Sequence, residues 1–468
     1  MFWLKSWNFW EIIVKFAAKL SITDLKNMKL KITKGLNLRL AGVLTDYTVY
    51  DVEPKSCAVV PDDFPGFTPK LLVKEGDAVM AGSALMYDKF TPEICLVSPV
   101  SGTVTSIVRG ERRKILRVVV ENDRKYQSIT FDTKAQLTEL LGKSGFFTMM
   151  RRRPYDIVPD PRIRPRDIFV TGLDTAPLAC PLAERLPLDA PEMLASAVKA
   201  MSAFTDGKIY ISVGREWNIG NVAGAEMVQV SGPHPAGNVG IQIANIAPVS
   251  KGENVWTLDI VTLYKIGKLL ATGVPDYSTL VAVVGSEVAA PRLISTVMGA
   301  DMPSVLGSLV NDTPCHKRVI SGNVLTGTVV SADDGYLRFP WRQVTVIAEG
   351  DDVDEFMGWA NLSPSKISIS RALPFHGLHR LFSPDARLQG GRRAMIMSGE
   401  YDKVMPADIM VEYLLKAILG RNIDDMEALG IYEVAPEDLA LCEFVDTSKL
   451  PVQQIVRDGL DFLRKELE

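Results

Sequence analysis

Between residues 30 and 122 apolar and polar side chains alternate in short runs, with Gly, Pro and Asp between the runs. That period of two marks brief, half-buried strands. Two halves match in kind. One is Val73-Lys74-Glu75-Gly76-Asp77-Ala78-Val79, with Gly82 and Leu85 after it. The other is Ser98-Pro99-Val100-Ser101-Gly102-Thr103-Val104. Gly76-Asp77 and Ser101-Gly102 supply turns between strands. The pattern predicts a small barrel-sandwich hybrid over residues 28–130.

Farther along the period lengthens. Residues 168–172 read as a short apolar strand. Pro191 opens a helix with Leu194, Ala197, Val198 and Met201 on one face, and Pro suits a first turn. Residues 208–213 return as a strand. This β–α–β order predicts a Rossmann-like half over 131–255. The turn after its first strand, Thr171-Gly172-Leu173-Asp174-Thr175, lacks the G-x-G-x-x-G of a dinucleotide site. Residues 260–270 repeat helically, 280–285 form a buried strand, 302–309 a short helix and 319–322 another strand. A β-grasp-like domain over 256–340 fits. Residues 341–468 begin with a strand at 343–347 and a charged loop at 349–355. They then turn helical and amphipathic at 408–419 and 452–467, with Pro436-Glu437-Asp438-Leu439 starting a helix between. The expected fold class is α+β and multidomain, with an α-helical C-terminal region.

The first 27 residues stand apart. MFWLKSWNFWEIIVKFAAKL sets Trp3, Trp7, Trp10, Val14 and Ala17 at helical spacing, with Lys5, Asn8, Glu11, Lys15 and Lys19 opposite. Such a helix suits a membrane surface or a partner protein. The competing reading starts the protein at Met28, in MKLKITKGLNLRL, and makes residues 1–27 a mis-assigned start. Their charges forbid a membrane span, and no small-residue cleavage site follows them.

Composition narrows the chemistry. The chain has 468 residues, 47% of them hydrophobic, and a net charge of −4 from 52 basic and 56 acidic residues. That length allows about three domains. The charge balance gives no drive toward nucleic acid. Five cysteines, none in a C-x-x-C pair, point to a reduced protein without a disulfide framework, structural zinc or an iron–sulfur cluster. Four histidines form no H-E-x-x-H. His376 and His379 are three apart, but Pro374 and Gly377 argue against the helix that would aim them at one metal, so no metal is expected.

Several stretches carry a resemblance. KEGDAVMAGSALMYDKFTPEICLVSPVSGTV is similar to the body of biotin and lipoate carriers, but Lys89 stands in Tyr87-Asp88-Lys89-Phe90 rather than in Met-Lys-Met. The order of barrel-sandwich, Rossmann-like half and β-grasp resembles the flavin-binding subunit of respiratory complex I and its cluster-bearing relatives. A narrower likeness runs from Met28 nearly to the end. MKLKITKGLNLRLAG, RRRPYDIVP, TGLDTAPLA, VSGPHPAGNVG, RLISTVMGA, RVISGNVLTG, GEYDKVMP and LALCEFVDTSK look like the A-subunit family of the sodium-translocating NADH:quinone reductase.

The resemblance implies a peripheral subunit without its own cofactor. It would dock on the membrane-embedded B subunit, at the cytoplasmic face of the bacterial inner membrane, near the quinone end. Flavins, iron–sulfur centres and Na+ would belong to other subunits, and the quinone would be of the ubiquinone type. Lys89 would then be unmodified. The segment corresponding to the relatives' phosphate-binding loop is LGKSGFFTMMRRRPYD, which keeps only Gly142 and Gly145 and is crowded by Phe146, Phe147, Met149 and Met150. Side chains of that size block close backbone approach to a phosphate. Cys442 alone cannot hold a cluster, so it reads as a buried core residue.

Three sets of residues are candidates for contact. In Ser231-Gly232-Pro233-His234-Pro235-Ala236-Gly237, His234 with Pro233 and Gly237 would meet a quinone carbonyl or supply a proton; otherwise the loop is a rigid structural turn. Phe146 and Phe147 would line an apolar quinone pocket; otherwise they fill core. Arg151, Arg152 and Arg153, read as a loop, would touch lipid headgroups or an acidic partner, as Trp3, Trp7 and Trp10 would; otherwise the arginines are solvated or paired internally. Two other readings stay open: a free-standing flavin- or NADH-dependent oxidoreductase, and a scaffold with no ligand.

Overall fold

A computed structural model describes residues 28–312, 314–351 and 381–468. Trp3, Trp7 and Trp10 lie outside the described residues, as do His376 and His379. The strands, in chain order, begin with β1 (Met28–Lys31) and β2 (Val49–Asp51). Seven short strands follow: β3 (Ser56–Val59), β4 (Pro69–Leu71), β5 (Ala78–Val79), β6 (Ala84–Asp88), β7 (Cys95–Val97), β8 (Gly102–Arg109) and β9 (Ile115–Asn122). Next come β10 (Arg151–Arg153), β11 (Ile168–Gly172), β12 (Ile209–Val213), β13 (Glu226–Ser231) and β14 (Val255–Asp259). The last are β15 (Ser278–Val284), β16 (Arg292–Val297), β17 (Lys317–Ser321), β18 (Thr328–Val330) and β19 (Gln343–Ala348).

Strands β3 to β9 form two small antiparallel sheets, ordered β3-β9-β8-β5 and β4-β6-β7. Their inward side chains, among them Leu85, Met86, Val104, Val118 and Val120, are fully buried. Period-two patterning with Gly turns is what such a sheet pair needs.

A six-stranded sheet follows, in the order β1-β13-β12-β11-β14-β10. All of its pairings are parallel except β10 with β14. From β11 the chain steps outward to β12 and β13, then returns to the other side of β11 as β14. The strand order therefore reverses between β11 and β14. Odd and even residues bury on opposite faces. Ile168, Val170, Ile209, Ile211 and Trp256 face the helices Ala190–Met201 and Ile260–Thr272. Phe169, Tyr210, Val228, Val230 and Val255 face the C-terminal helices, where Leu414, Leu441, Val456 and Leu460 are buried. Both faces are covered, as parallel sheets require.

A second six-stranded sheet is ordered β18-β17-β19-β15-β16-β2. Val281, Val283, Val344 and Val346 pack there against Val305 and Leu306 of the short helix Met302–Leu306. Among the described residues the C-terminal helices are Tyr401–Val404, Val411–Leu419, Ile423–Ala428, Ala440–Val445 and Val452–Leu467. Among the described residues no helix is long and apolar enough to cross a membrane.

Three placements differ from the sequence reading. β1 and β2, grouped by pattern with the small barrel, hydrogen-bond instead to β13 and β16. The helix Ile260–Thr272 covers the first sheet, not the second. β19, grouped with the helical region, sits between β17 and β15. Period reveals an element but not its partner strand, because pairing is a long-range choice.

Candidate functional site

A cavity of about 550 Å3 opens where the strand order of the first sheet reverses. β11 ends in it at Thr171 and Gly172, and β14 ends in it at Leu258 and Asp259. In open parallel sheets, ligands bind outside the carboxyl ends of the strands at such a reversal. The other walls come from the rest of the chain. Asp62 and Asp63 reach in from the small sheets, Trp341 and Arg342 from the loop before β19, and Glu437 from the C-terminal helical region.

The charges on these walls are largely matched within the protein. Arg342 lies 2.9 Å from Asp259. The same carboxylate caps the helix Ile260–Thr272 by accepting from the Val261 and Thr262 N–H groups at 2.9 and 3.0 Å. Burial pushes Asp259 upward, but Arg342 and Thr262 hold it below the usual carboxylate range. Arg338 pairs with Asp63 at 2.5 Å, although burial still raises Asp63. Arg151 donates to the carbonyls of Thr148, Met150 and Asp63 and stands over the rings of Phe64 and Phe339. Arg153 is buried and meets Glu437 at 2.8 Å, Asp438 at 3.1 Å and Asp156 at 3.4 Å. Burial works against its charge, and the three carboxylates together outweigh it.

Asp438 also faces the start of the helix Val239–Ile246. A Cβ on Gly240 would stand 2.0 Å from its Oδ2. Only glycine lets that carboxylate approach the first turn, where free N–H groups attract anions. Both helix starts at the cavity are thus already faced by a carboxylate of this chain.

His234 lines the cavity and is 3% exposed. Its backbone N–H donates to Asn37 Oδ1 at 2.8 Å, which fixes the loop. Its Nδ1 lies 3.2 Å from Thr175 Oγ1, and that oxygen already accepts from the Gly237 N–H at 2.8 Å. This arrangement favours a Thr175 hydroxyl that donates to Nδ1 and an imidazole proton on Nε2. Among the described residues Nε2 has no hydrogen-bond partner. Burial lowers the His234 pKa to about 4, so the ring is neutral at pH 7. Asp174, two turn residues past β11, also lines the cavity; burial raises it and the Ala176 N–H opposes the rise. Burial likewise raises Glu437, against the pull of Arg153.

The structure sorts the sequence candidates. His234 and Gly237 share the cavity, while Pro233 sits beside Gly35 at the back of the loop. Phe146 and Phe147 are fully buried. Phe146 stacks on Tyr277 at 6.0 Å, and Phe147 meets Trp256 edge-on at 5.4 Å. They belong to one core that joins the small sheets to the first six-stranded sheet; it is their neighbour Met149 that lines the cavity. Arg151, Arg152 and Arg153 form a strand, not a loop, paired with Thr257, Trp256 and Val255. Arg152 is 5% exposed and makes two 2.8 Å bonds to the Glu468 carboxylate. Arg152 and Arg153 thus turn inward, where carboxylates distant in sequence meet them, while backbone carbonyls hold Arg151. Lys89 is exposed on the β6–β7 hairpin, with its ammonium 5.2 Å from the Phe90 ring centre. Cys442 is buried, and burial pushes its thiol up to about 12. Asp259, Trp341, Arg342 and Glu437 escaped the sequence reading as site residues. Only the Asp at a strand end before a helical repeat signalled one of them.

A smaller chamber of about 60 Å3 adjoins the cavity and shares Asp63, Met149 and Phe339 with it. Leu96, Val97, Pro99 and Leu337 help to make its lining apolar.

Comparison with known proteins gives a consistent result. Three family models match: the NqrA N-terminal barrel-sandwich hybrid domain over residues 30–123, the NqrA second alpha/beta domain over 132–275, and the NQRA C-terminal domain over 280–332. The A subunit of the Na(+)-translocating NADH-quinone reductase of Rhodopirellula baltica is 34% identical over 455 residues, covering 93% of this chain and 98% of that protein. The proteins of the same name from Pasteurella multocida and Neisseria meningitidis are 35% and 36% identical, each over 93% of this chain and 99% and 100% of theirs.

Proposed function

From the premise that this chain belongs to the A-subunit family of Na+-translocating NADH-quinone reductases, we propose that it is a peripheral subunit that docks on the membrane-embedded B subunit, at the cytoplasmic face of the bacterial inner membrane, and offers its central cavity to a ubiquinone-type headgroup. The reaction belongs to the complex: NADH oxidation, quinone reduction and sodium translocation. On this reading the chain alone does not oxidise NADH, and flavins and iron–sulfur centres reside in other subunits. We read the first six-stranded sheet as a Rossmann-like half and the second as β-grasp-like.

The observation that carries the quinone reading is His234. His234, which lines the cavity at the strand reversal, is a neutral imidazole whose buried Nε2 has no hydrogen-bond partner among the described residues. A buried donor without an acceptor is costly, and a ligand carbonyl would relieve that cost. The adjoining apolar chamber suits ring methyl groups or the first part of a hydrocarbon tail. A nucleotide fits less well. Its phosphates would need a helix start or a spare cation, and Asp259 and Asp438 already face the two helix starts.

The test is a titration of the purified chain with a short-tailed ubiquinone, followed by tryptophan fluorescence. Trp217 and Trp341 line the cavity and would report binding. Saturable quenching is expected, with affinity reduced about tenfold in His234→Ala, the equivalent of one hydrogen bond. Absence of saturable quenching, or equal affinity in the variant, overturns the assignment. Parallel titrations with NADH and FMN should show no saturation. Saturation with either would favour the oxidoreductase reading.

A further inference from the structure

Residues 388–397 cross the C-terminal region without helix or strand. The segment is nevertheless pinned. The Arg393 N–H donates to the Ser448 carbonyl at 2.9 Å, the Ile396 N–H donates to Ser448 Oγ at 3.3 Å, and Met395 packs against the helical core. Its other large side chains face out. Leu388 is 55% exposed, Ile396 59% and Met397 43%. Arg392 and Arg393 are exposed between them, and Lys449 comes within 3.8 Å of where a Gly390 Cβ would be. The nearby carboxylates are engaged elsewhere. Asp385 pairs with Arg387, Glu412 accepts from the Ser398 and Gly399 N–H groups, and buried Asp446 accepts from Ser448 and Leu450. Among the described residues none of the three cations has a carboxylate partner. The Glu412 contact sets the start of the helix Val411–Leu419 beside the segment, and Met410 and Tyr413 add two more exposed side chains there.

Each feature alone is ordinary for a surface. Together they make a patch of aliphatic side chains interleaved with unmatched cations, on a chain whose net charge is −4. An acidic protein face would match the arginines but leave the aliphatic tips unexplained. An anionic bilayer matches both, because headgroups take the cations and the acyl boundary takes Leu, Ile and Met. We propose that residues 388–397, with Lys449, are a contact site for anionic lipid headgroups, holding this face of the protein against a membrane. The lipid role first considered for Arg151–Arg153 thereby passes to a different pair of arginines. The proposal does not depend on quinone binding, since none of these side chains lines the cavity.

The test is sedimentation of the full chain with vesicles of phosphatidylcholine, or of phosphatidylcholine with phosphatidylglycerol. The intact protein should pellet with the anionic vesicles and be released by salt. Arg392→Glu/Arg393→Glu should weaken this partition at least about tenfold, as two reversed charges near an anionic surface require. Ile396→Ser/Met397→Ser should also weaken it while leaving the salt dependence intact, which guards against reading a pure charge effect as insertion. Unchanged melting temperatures and circular dichroism would show that the variants fold. Equal pelleting of the arginine variant and the intact protein would overturn the proposal, because binding would then reside elsewhere on the chain. So would wild-type protein that prefers neither vesicle. If the arginine variant keeps its vesicle binding but no longer co-purifies with the rest of the complex, the patch is a protein interface and the lipid assignment fails.

Discussion

At the scale of single residues, burial decides what a side chain can do. His234 was visible in the sequence as a histidine between two prolines. Its neutral state and the unpartnered nitrogen seen among the described residues were not, because both follow from burial, and the Thr175 hydroxyl beside Nδ1 comes from another part of the chain. The depressed pKa carries a pH signature. The native value of about 4 lies below the 6.5 of an open histidine. The unfolded state therefore binds the proton first, and stability falls as pH drops through 6.5 toward 4. The loss approaches about 3 kcal/mol when complete, at 1.36 kcal/mol per pKa unit. Urea unfolding of the protein and of His234→Gln, at several values between pH 7 and pH 4, should show a shallower decline for the variant. Parallel declines would mean that His234 is solvated in the native state. The arginines teach the opposite lesson. Three in a row look like a surface feature, but Asp438, Glu437 and Glu468 lie about three hundred positions away, and no local pattern announces them.

At the scale of elements, period and punctuation were good guides to existence and type. The helix opened by Pro191 spans Ala190–Met201, and the last amphipathic run spans Val452–Leu467. The strand at 151–153 was missed because three arginines resemble no strand. It forms because β14 offers an edge and because buried carboxylates accept the charges. The helix Val239–Ile246 illustrates a constraint that sequence hides. Gly240 would ordinarily weaken a helix start, yet a methyl there would collide with Asp438. Gly240→Ala should push that carboxylate away from Arg153 and cost about 2–4 kcal/mol, more than a surface Gly→Ala change and opposite in sign. Chemical denaturation would measure it. A neutral or stabilising result would show that the ion cluster at Arg153 has room to shift.

At the scale of the whole molecule, the order of its parts was legible and their assembly was not. Strands β3 to β9 came from the right stretch of sequence, and so did the alternation that builds the first sheet. The cavity was out of reach, since its walls come from segments as far apart as Asp62 and Glu437. The two leading strands were equally hidden. Met28 pairs with Val228, and Val49 pairs with Leu293. During synthesis each must wait, unpaired, until a strand some two hundred residues later leaves the ribosome. Until β1 and β2 dock on them, β13 and β16 have bare edges of the kind that recruit other chains. A protein beginning at residue 53 should therefore be collected mainly as aggregate, whereas full-length protein should elute as a single monodisperse peak on size-exclusion chromatography. Adding a peptide of residues 28–52 during refolding should recover part of it. Monodisperse truncated protein would show that β1 and β2 are ornaments on sheets already complete. β1 and β2 otherwise act as the molecule's last-fitted seals, and the molecule is most open to misassembly in the interval before they close.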